Sequence, residues 1–212
     1  MQNEQENFWK GSFGNQFIKR NTFETHKKFN NFYIKRYGCS RDFINNFFLK
    51  KINLEKPVLE VGCNIGNQLN ALSRIGFKNL YGIDINNKSL TIVKKNTNLN
   101  IIKSSGFNIP FKDSFFNIVF TSFVLIHIHP KNLKKIMAEI YRVSNNYIYG
   151  LEYYNNDLIE INYRNNKNKA WKGDYCKLYL KTFKKLKLVK ERIYQNKDNL
   201  EDYDKIFLLK KS

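Results

Sequence analysis

The feature that most constrains the fold is a short apolar run that leads into two glycines. Residues 57–61, with the sequence PVLEV, are apolar apart from one acid, which is typical of a central parallel strand covered on both faces. Gly62 and Gly66 follow at once, and apolar residues recur at helical spacing over residues 68–75. The segment therefore predicts a buried strand, a glycine loop and a helix in succession.

The spacing within this loop narrows the choice of ligand. Gly62 has no Cβ, so the chain can turn tightly there and its backbone can approach a ligand closely. A dinucleotide-binding loop reads G-x-G-x-x-G and admits a pyrophosphate, whereas this loop reads E-x-G-x-x-x-G. A carboxylate within an apolar strand is costly unless it is paired, so Glu60 is expected to organise the loop near a cationic ligand. The candidate cofactor-binding residues of this loop are Glu60, Gly62, Cys63, Asn64 and Gly66.

An acid at the end of the next predicted strand matches a ribose-binding position. The strand covers residues 80–85, and Asp84 follows Gly62 by 22 residues, close to the spacing of about 20 for an acid that accepts both ribose hydroxyls. Ile85 is then placed to pack against the base. The alternative is that the glycines only form a turn and Asp84 is the N-cap of the following helix. The combination of strand, loop, helix, strand and acid favours the ligand-binding interpretation.

The order of the predicted elements indicates the fold class. Strands and helices alternate, which is typical of an α/β fold with a parallel sheet. The strands are expected at residues 57–61, 80–85, 100–103, 115–123, 147–151, 186–194 and 203–210, and helices at 68–75, 88–95, 131–143 and 175–183. The last two strands leave no room for a crossover helix, so they are expected to form an antiparallel hairpin at one edge.

The two ends of the chain and one internal segment complete the predicted domain organisation. Residues 1–50 are expected to form two or three helices that act as a cap or lid, because their aromatic and aliphatic positions have near-helical spacing. Residues 51–212 are expected to form one compact unit that binds the cofactor. Within it, residues 155–175 are polar and are predicted to be loop.

The segment before the fourth predicted strand resembles many enzymes that use S-adenosylmethionine (SAM). Those enzymes have an acid, a Leu-Pro-Phe and a Phe-Asp in this region, where the present chain has Ser105, the Ile-Pro-Phe of residues 109–111, and Asn117. Ser105 stands where the Asp that contacts adenine usually lies. Together with the glycine loop and the terminal hairpin, the resemblance implies a Rossmann-like class I SAM-dependent methyltransferase with a seven-stranded, mostly parallel sheet. Its product would be S-adenosylhomocysteine (SAH), and Ser105 and Gly106 would contact the cofactor.

The candidate catalytic groups follow the fourth and fifth predicted strands. Ligands in such sheets bind beyond the carboxyl ends of the strands, so Thr121 and Phe123 are expected to face the sulfonium and the acceptor. His127 lies just beyond and, as a neutral imidazole, can take a proton from the acceptor. Glu152 is the second candidate base. The alternative for His127 is a structural histidine that closes hydrogen bonds at the start of the next helix.

Two further stretches resemble a small bacterial family, the pseudaminic acid biosynthesis-associated methylases. Residues 9–21 are similar to that family's W-x-G-x-F-G-x-x-Y-x-x-R-N opening, with Phe17 in place of Tyr, and residues 152–174 are similar to its later region. The resemblance implies a methylase encoded with surface-glycan genes that acts on an activated nonulosonic sugar or a related intermediate. The acceptor-binding residues expected from these two stretches are Trp9, Phe13, Arg20, Asn21, Tyr153, Tyr154, Tyr163, Arg164 and Lys169. The alternative is that the aromatic residues pack in the core and the basic ones are solvated.

The charge leaves a second kind of acceptor open. A formal charge of +19 with a pI near 9.7 favours polyanions such as RNA, although an AT-rich genome would encode the same abundance of Asn, Lys, Ile, Phe and Tyr. Against an RNA methyltransferase, Thr121-Ser122-Phe123-Val124 stands where an Asn/Asp-Pro-Pro-Tyr/Phe motif is expected. A SAM-binding protein without turnover is the third alternative, and the oligomeric state is left open.

Other features of the sequence concern metals and location. Cys39, Cys63 and Cys176 lie far apart, and His127 with His129 lacks further ligands, so neither disulfides nor a metal site are expected. No apolar stretch has the roughly 18–20 residues that a membrane span needs, and the first residues do not resemble a signal peptide. A cytoplasmic protein is therefore expected.

Overall fold

The computed structural model describes residues 4–96 and 99–212. Its main sheet has seven strands in the order β3-β2-β1-β4-β5-β9-β8. The strands are β1 Val58–Val61, β2 Leu80–Asp84, β3 Asn100–Lys103, β4 Phe116–Ser122, β5 Ser144–Tyr154, β6 Ile159–Tyr163, β7 Asn166–Lys172, β8 Leu186–Gln195 and β9 Tyr203–Lys211. The helices are α1 Glu4–Lys10, α2 Ser12–Arg20, α3 His26–Tyr37, α4 Arg41–Leu49, α5 Asn67–Arg74, α6 Asn87–Asn96, α7 Pro130–Val143 and α8 Tyr175–Thr182.

The predicted Rossmann-like α/β sheet is confirmed. Strands β1 to β5 pair in parallel. The last strand, β9, is antiparallel to both of its neighbours, because it pairs with β5 on one side and with β8 on the other. The C-terminal hairpin therefore closes one edge of the sheet, as the short connection between its strands predicts.

The central strands separate two hydrophobic cores. Successive side chains of a strand point to opposite faces, and neighbouring residues of β1 accordingly divide between the cores. Val58 packs with Phe29, Ile44 and Leu69 on one face, and Leu59 packs on the other face in the cluster that contains Ile136. Both residues are fully buried, which explains why the run is apolar at consecutive positions.

The N-terminal segment forms four helices where two or three are predicted. Ser40 accepts a hydrogen bond from the backbone N–H of Phe43, and this N-cap separates α4 from α3. Gly14 of α2 packs so closely on α1 that a Cβ there would lie 1.9 Å from the carbonyl oxygen of Trp9. Phe29 of α3 and Ile44 of α4 belong to the core of the sheet, whereas α1 and α2, together with one face of α3, cover the carboxyl ends of the strands.

The prediction of a loop over residues 155–175 is wrong. Strands β6 and β7 form an antiparallel hairpin there, joined by Arg164 and Asn165, which both have positive φ, at 51° and 64°. Two consecutive residues with positive φ are typical of the tight turns that match the twist of a hairpin. The alternation of Ile159, Ile161 and Tyr163 indicates the strand, but polar flanking residues hide it.

Among the residues that the structure describes, no helix is both long and apolar enough to cross a membrane.

Candidate active site

A cavity of about 440 Å³ lies beyond the carboxyl ends of β1, β2 and β4 and beneath α1 and α2. Its volume falls within the range of small-molecule sites, about 300–1,000 Å³. Most of the predicted site residues line it. These are Trp9, Arg20, Asn21, Glu60, Gly62, Cys63, Asn64, Asp84, Ile85, Gly106, Phe123, His127, Tyr153, Tyr163 and Arg164.

The glycine loop has the backbone geometry that its sequence predicts. Gly62 has φ 74°, and a Cβ at this position would lie 2.7 Å from a methyl group of Val124. Gly66, with φ 80°, is the N-cap of α5, and Asn64 also has positive φ, at 47°. The loop is held to β2 because the carbonyl oxygen of Ile83 accepts the N–H groups of residues 62 and 63. Any side chain at position 62 would therefore meet both strain and a clash.

The carboxylate of Asp84 is oriented by the backbone around it. One oxygen accepts the N–H of Asn64 at 2.8 Å and the other accepts the N–H of Asn86 at 2.7 Å. The Ser89 hydroxyl also lies 3.3 Å from Oδ1, but its single proton has a nearer acceptor in the carbonyl oxygen of Asn86, at 2.8 Å. Because a carboxylate oxygen has two lone pairs, both oxygens can still accept a ribose hydroxyl. Burial raises the pKa of Asp84, and the N–H groups of Asn86 and Asn64 oppose that rise.

The alternative role predicted for Asp84, as the N-cap of the following helix, belongs to a different residue. The side-chain oxygen of Asn86 accepts the N–H groups of Lys88 and Ser89 at 2.8 and 3.3 Å. Asn86 therefore caps the start of α6, while Asp84 lines the cavity.

Several polar atoms in the cavity wall are buried without a partner. They are Oε2 of Glu60, Oδ1 of Asn64, Oε1 of Gln68 and Oγ of Ser122, and none has a hydrogen-bond partner within residues 4–96 and 99–212. Buried polar atoms in folded proteins are nearly always hydrogen-bonded. Three of the four are acceptors, so this part of the wall fits a ligand that brings N–H donors and positive charge, as the aminocarboxypropyl and sulfonium groups of SAM do.

Glu60 is stabilised by a residue that sequence reasoning missed. Glu60 is fully buried within β1, and burial raises its pKa well above the usual value, against the opposing charge of Arg41. Arg41 is itself 1% exposed and lies between the rings of Tyr33 and Tyr149, 5.5 and 5.7 Å from their centroids. In the sequence, Arg41 is marked only by its position, as a basic residue at the start of a mostly apolar helix face. Arg41 does not line the cavity, so its positive charge acts on Glu60 from inside the protein.

His127 is a neutral imidazole at the cavity wall. Its Nδ1 lies 2.9 Å from the carbonyl oxygen of Lys169, and a carbonyl can only accept, so Nδ1 carries the proton and Nε2 is left as a base. Burial lowers the pKa of His127 to about 4, and the Lys169 carbonyl opposes that shift. The ring packs against Trp9 at 4.4 Å and Tyr163 at 4.7 Å between centroids.

The structure does not place Glu152 at the cavity surface. Its carboxylate accepts the N–H groups of Val124 and Ile126, at 3.4 and 3.3 Å, and Thr121 also donates to it. Glu152 and Thr121 therefore lie beneath the short helical turn that carries His127. They hold this turn in place, and Glu152 is too far inside the protein to reach an acceptor in the cavity.

Ionisation of Glu152 is expected to lower the free energy of unfolding as the pH rises. Burial raises its pKa in the folded protein to about 7, against about 4.3 in an unfolded chain. Between these values the folded state holds a proton that the unfolded state has lost, so stability falls with rising pH. In urea unfolding, the free energy of unfolding of the wild type should fall by about 2 kcal/mol more than that of Glu152→Gln between about pH 5 and pH 7.5. Parallel pH profiles of these two proteins would contradict the assignment, and Glu201→Gln, at an exposed position, is the control.

The opposite end of the cavity is basic and aromatic. Arg20, Arg36 and Arg164 line it together with Tyr153 and Tyr163. Four of these five are predicted from the sequence. Arg36 is not, because nothing in a basic, aromatic helix distinguishes that position. These groups suit an anionic acceptor with a ring face.

Arg36 is held by a buried acid from the far end of the chain. Its guanidinium pairs with Asp204 at 2.7 Å, and Tyr37 donates to the same carboxylate at 2.6 Å. The guanidinium also lies 5.8 and 5.9 Å from the ring centroids of Phe123 and Tyr153. Phe123 has φ 56°, which is unusual for a bulky residue and is a strain typical of functional sites.

The remaining predicted residues lie around the cavity rather than in its wall. Phe13 packs between Phe8 and Tyr163, and Lys169 pairs with Glu4 of α1. The hydroxyl of Tyr154 donates to Asn156. The predicted residues outside the lining are Phe13, Gly66, Ser105, Thr121, Glu152, Tyr154 and Lys169.

Less than half of the chain is similar to a known family model. Residues 59–147 match the family model described as a methyltransferase domain. An uncharacterised protein of Haemophilus influenzae is 28% identical over 96 residues, a match that spans 42% of this chain and 38% of that protein. The matched family segment contains the glycine loop, Asp84 and His127.

Solved structures share the fold at low sequence identity. Magnesium protoporphyrin IX methyltransferase from Synechocystis PCC 6803, solved with bound SAM, is 11% identical with a TM-score of 0.72, covering 100% of this chain and 99% of that one. The PH0226 protein from Pyrococcus horikoshii OT3 is 14% identical with a TM-score of 0.66, covering 93% and 99%. The cyclase SpnF is also similar, with 10% identity and a TM-score of 0.64 over 81% of each chain. Residues 59–147 of the chain are thus similar to a methyltransferase domain, and the chain has the fold of class I methyltransferases that have been solved with bound SAM and SAH.

Proposed function

We propose that this protein is a SAM-dependent methyltransferase that acts on a small anionic acceptor of the sugar or nucleotide-sugar type. The observation that carries the proposal is the arrangement of a single cavity. Asp84 and the unpaired acceptors around the glycine loop line the same cavity as the neutral His127 and three arginines. A cofactor and an acceptor can therefore meet in one cavity, lined by α1, α2 and α3.

The residues around the glycine loop are proposed to hold the cofactor. Asp84 would accept the ribose hydroxyls, and Oδ1 of Asn64 with Oε2 of Glu60 would accept from its cationic end. When bound, SAM supplies a methyl group on an electrophilic sulfonium. Because that methyl group is already activated, alignment of the acceptor contributes much of the rate.

His127 is proposed to take the proton from the acceptor hydroxyl. The bond from Nδ1 to the carbonyl oxygen of Lys169 holds the tautomer in which Nε2 is unprotonated. The lowered pKa keeps the ring neutral at physiological pH. Trp9 and Tyr163 pack on the ring and restrict its rotation, so the base is positioned before the acceptor binds.

The acceptor is proposed to carry a carboxylate or phosphate. Arg20 and Arg164 offer planar donors for such a group, and Arg36, which is paired with Asp204 through Nε and Nη2, offers its remaining Nη1. The rings of Tyr153 and Tyr163 offer a surface for a sugar. An activated nonulosonic sugar of surface-glycan biosynthesis, which the resemblance of residues 9–21 and 152–174 implies, has both features. RNA is the second candidate, because the charge of +19 favours a polyanion.

Transfer of tritiated methyl from SAM tests the proposal. Nucleotide-activated nonulosonic sugars, nucleotide hexoses and total RNA would be offered in parallel, with S-adenosylhomocysteine binding measured by calorimetry. The expected result is label in an anionic sugar fraction. Label in RNA alone, with binding that weakens steeply as salt rises, would favour the RNA enzyme. Binding of S-adenosylhomocysteine with no label in any fraction would favour a protein that binds SAM without turnover.

A further inference from the structure

A carboxylate from the N-terminal helix α1 enters the cofactor side of the cavity. Glu6 lines the cavity, and its side chain is only 16% exposed. It accepts a hydrogen bond from the hydroxyl of Ser105, 99 positions away in the chain. That hydroxyl in turn accepts the N–H of Phe107 at 3.0 Å. The other oxygen of Glu6, Oε2, pairs with Lys10 of the same helix at 3.2 Å. The carboxylate is therefore fixed against the loop that follows β3, and each of its oxygens keeps a lone pair for a further donor.

This loop forms part of an apolar compartment next to the proposed ribose site. Ile85, Gly106, Phe107 and Ile136 line it. A Cβ on Gly106 would lie 2.8 Å from a methyl group of Ile136, so the backbone of the loop packs directly on the compartment wall. A base joined to a ribose at Asp84 would enter this compartment, because the glycine loop occupies the other side of the carboxylate.

Glu6 is the acid placed to accept a hydrogen bond from the edge of that base. The acids among the described residues that line the cavity are Glu6, Glu60 and Asp84. Glu60 lies beneath the glycine loop, and Asp84 is proposed to hold the ribose. Adenine presents an exocyclic amine, which donates hydrogen bonds, whereas a 6-oxo purine presents an acceptor that a carboxylate would repel.

We infer that Glu6 accepts a hydrogen bond from the adenine amine of the cofactor, so that the acid which selects adenine comes from the N-terminal helix and not from the β3 loop. The inference rests on the proposed use of SAM. It reassigns the adenine contact that the sequence predicts at Ser105, which instead orients Glu6. Asn86, next to the ribose site, also donates to the carbonyl oxygen of Trp9 at 2.9 Å. The contacts of Glu6 and of the Trp9 carbonyl both hold α1 against the cofactor side of the cavity.

Calorimetry with two nucleoside ligands tests the assignment. S-adenosylhomocysteine and S-inosylhomocysteine differ only in the group at purine C6 and the proton on N1. The wild type is expected to prefer the adenosyl ligand by about 10- to 100-fold, the range for a hydrogen bond to a charged group. Glu6→Ala should lose most of this preference by weakening the adenosyl ligand. The double variant Glu6→Ala/Ser105→Asp should regain the preference, because the second substitution places a carboxylate in the loop after β3, where the Glu6 carboxylate is bound in the wild type.

The controls separate base recognition from closure of the helix. Glu4→Ala, on the same helix, removes an exposed carboxylate that pairs with Lys169 outside the cavity lining, and it should leave the preference unchanged. If Glu6→Ala weakened the binding of both ligands equally and kept the preference, the assignment would be overturned, and the role of Glu6 would be only to hold α1 in place. If the wild type binds neither ligand, the proposed use of SAM fails and the inference fails with it. Circular dichroism of each variant checks that it is folded.

Discussion

Replacement of His127 by Asn is expected to lower kcat by about 10²- to 10⁴-fold, the usual contribution of a positioned general base. The Asn amide can still donate to the carbonyl oxygen of Lys169, which now accepts from Nδ1 of His127. The variant should therefore fold, and the Kd of S-adenosylhomocysteine should change little. Methyl transfer to the acceptor found by the labelling experiment gives kcat, and calorimetry gives Kd.

A neighbouring histidine provides the matched control. His129 caps the start of α7 and lies outside the cavity lining, so His129→Asn should keep near-normal turnover. Because the pKa of His127 is lowered to about 4, protonation of this group should not reduce kcat between about pH 8 and pH 6. Normal turnover by His127→Asn would remove the residue from the chemistry and favour its structural interpretation.

Replacement of Asp84 by Ala is expected to raise the Kd of S-adenosylhomocysteine by about 100-fold or more. The carboxylate would make two hydrogen bonds to the ribose, and a hydrogen bond to a charged group contributes about 1.5–3 kcal/mol. Even about 3 kcal/mol in total corresponds to roughly a hundredfold change in affinity. The loss should also extend to the inosyl ligand, because Asp84 contacts the ribose and not the base.

Asp84 also supports the loops around it, so its control must preserve the carboxylate. The hydroxyl of Ser89 lies 3.3 Å from Asp84, and Ser89→Ala removes this contact while leaving both carboxylate oxygens in place. This variant should bind within a few fold of the wild type. An unchanged Kd for a folded Asp84→Ala protein would exclude the proposed ribose site and the cofactor assignment that depends on it.

The parts of the molecule that the sequence predicts well are those with short-range patterns. The apolar run of β1, the glycines at 62 and 66, and the spacing to Asp84 each depend on a few neighbouring residues. The mostly parallel sheet with an antiparallel hairpin at one edge follows from the alternation of strands and helices and from the short link between β8 and β9. The hairpin of β6 and β7 is the exception, because a strand with polar flanks and a turn of Arg164 and Asn165 has no apolar run to mark it.

Glu152 is a residue whose type predicts a role that the direction of its side chain does not allow. An acid beyond a central strand suits a catalytic base, and the residue does lie beside the turn that carries His127. Whether it faces the cavity or the interior depends on the direction of its side chain. Here the backbone N–H groups of Val124 and Ile126 draw it inward, since helical turns leave such donors unpaired at their start.

By itself, the sequence determined the parallel sheet, the glycine loop and the acid that follows it, because periodicity and spacing act over short stretches of chain. Only the tertiary structure decided which charged groups meet in the cavity. Glu6 reaches Ser105 across 99 positions, and Arg36 reaches Asp204 across 168. No local pattern encodes such contacts, because they arise only when the sheet brings α1, α3 and the C-terminal strand to the same site.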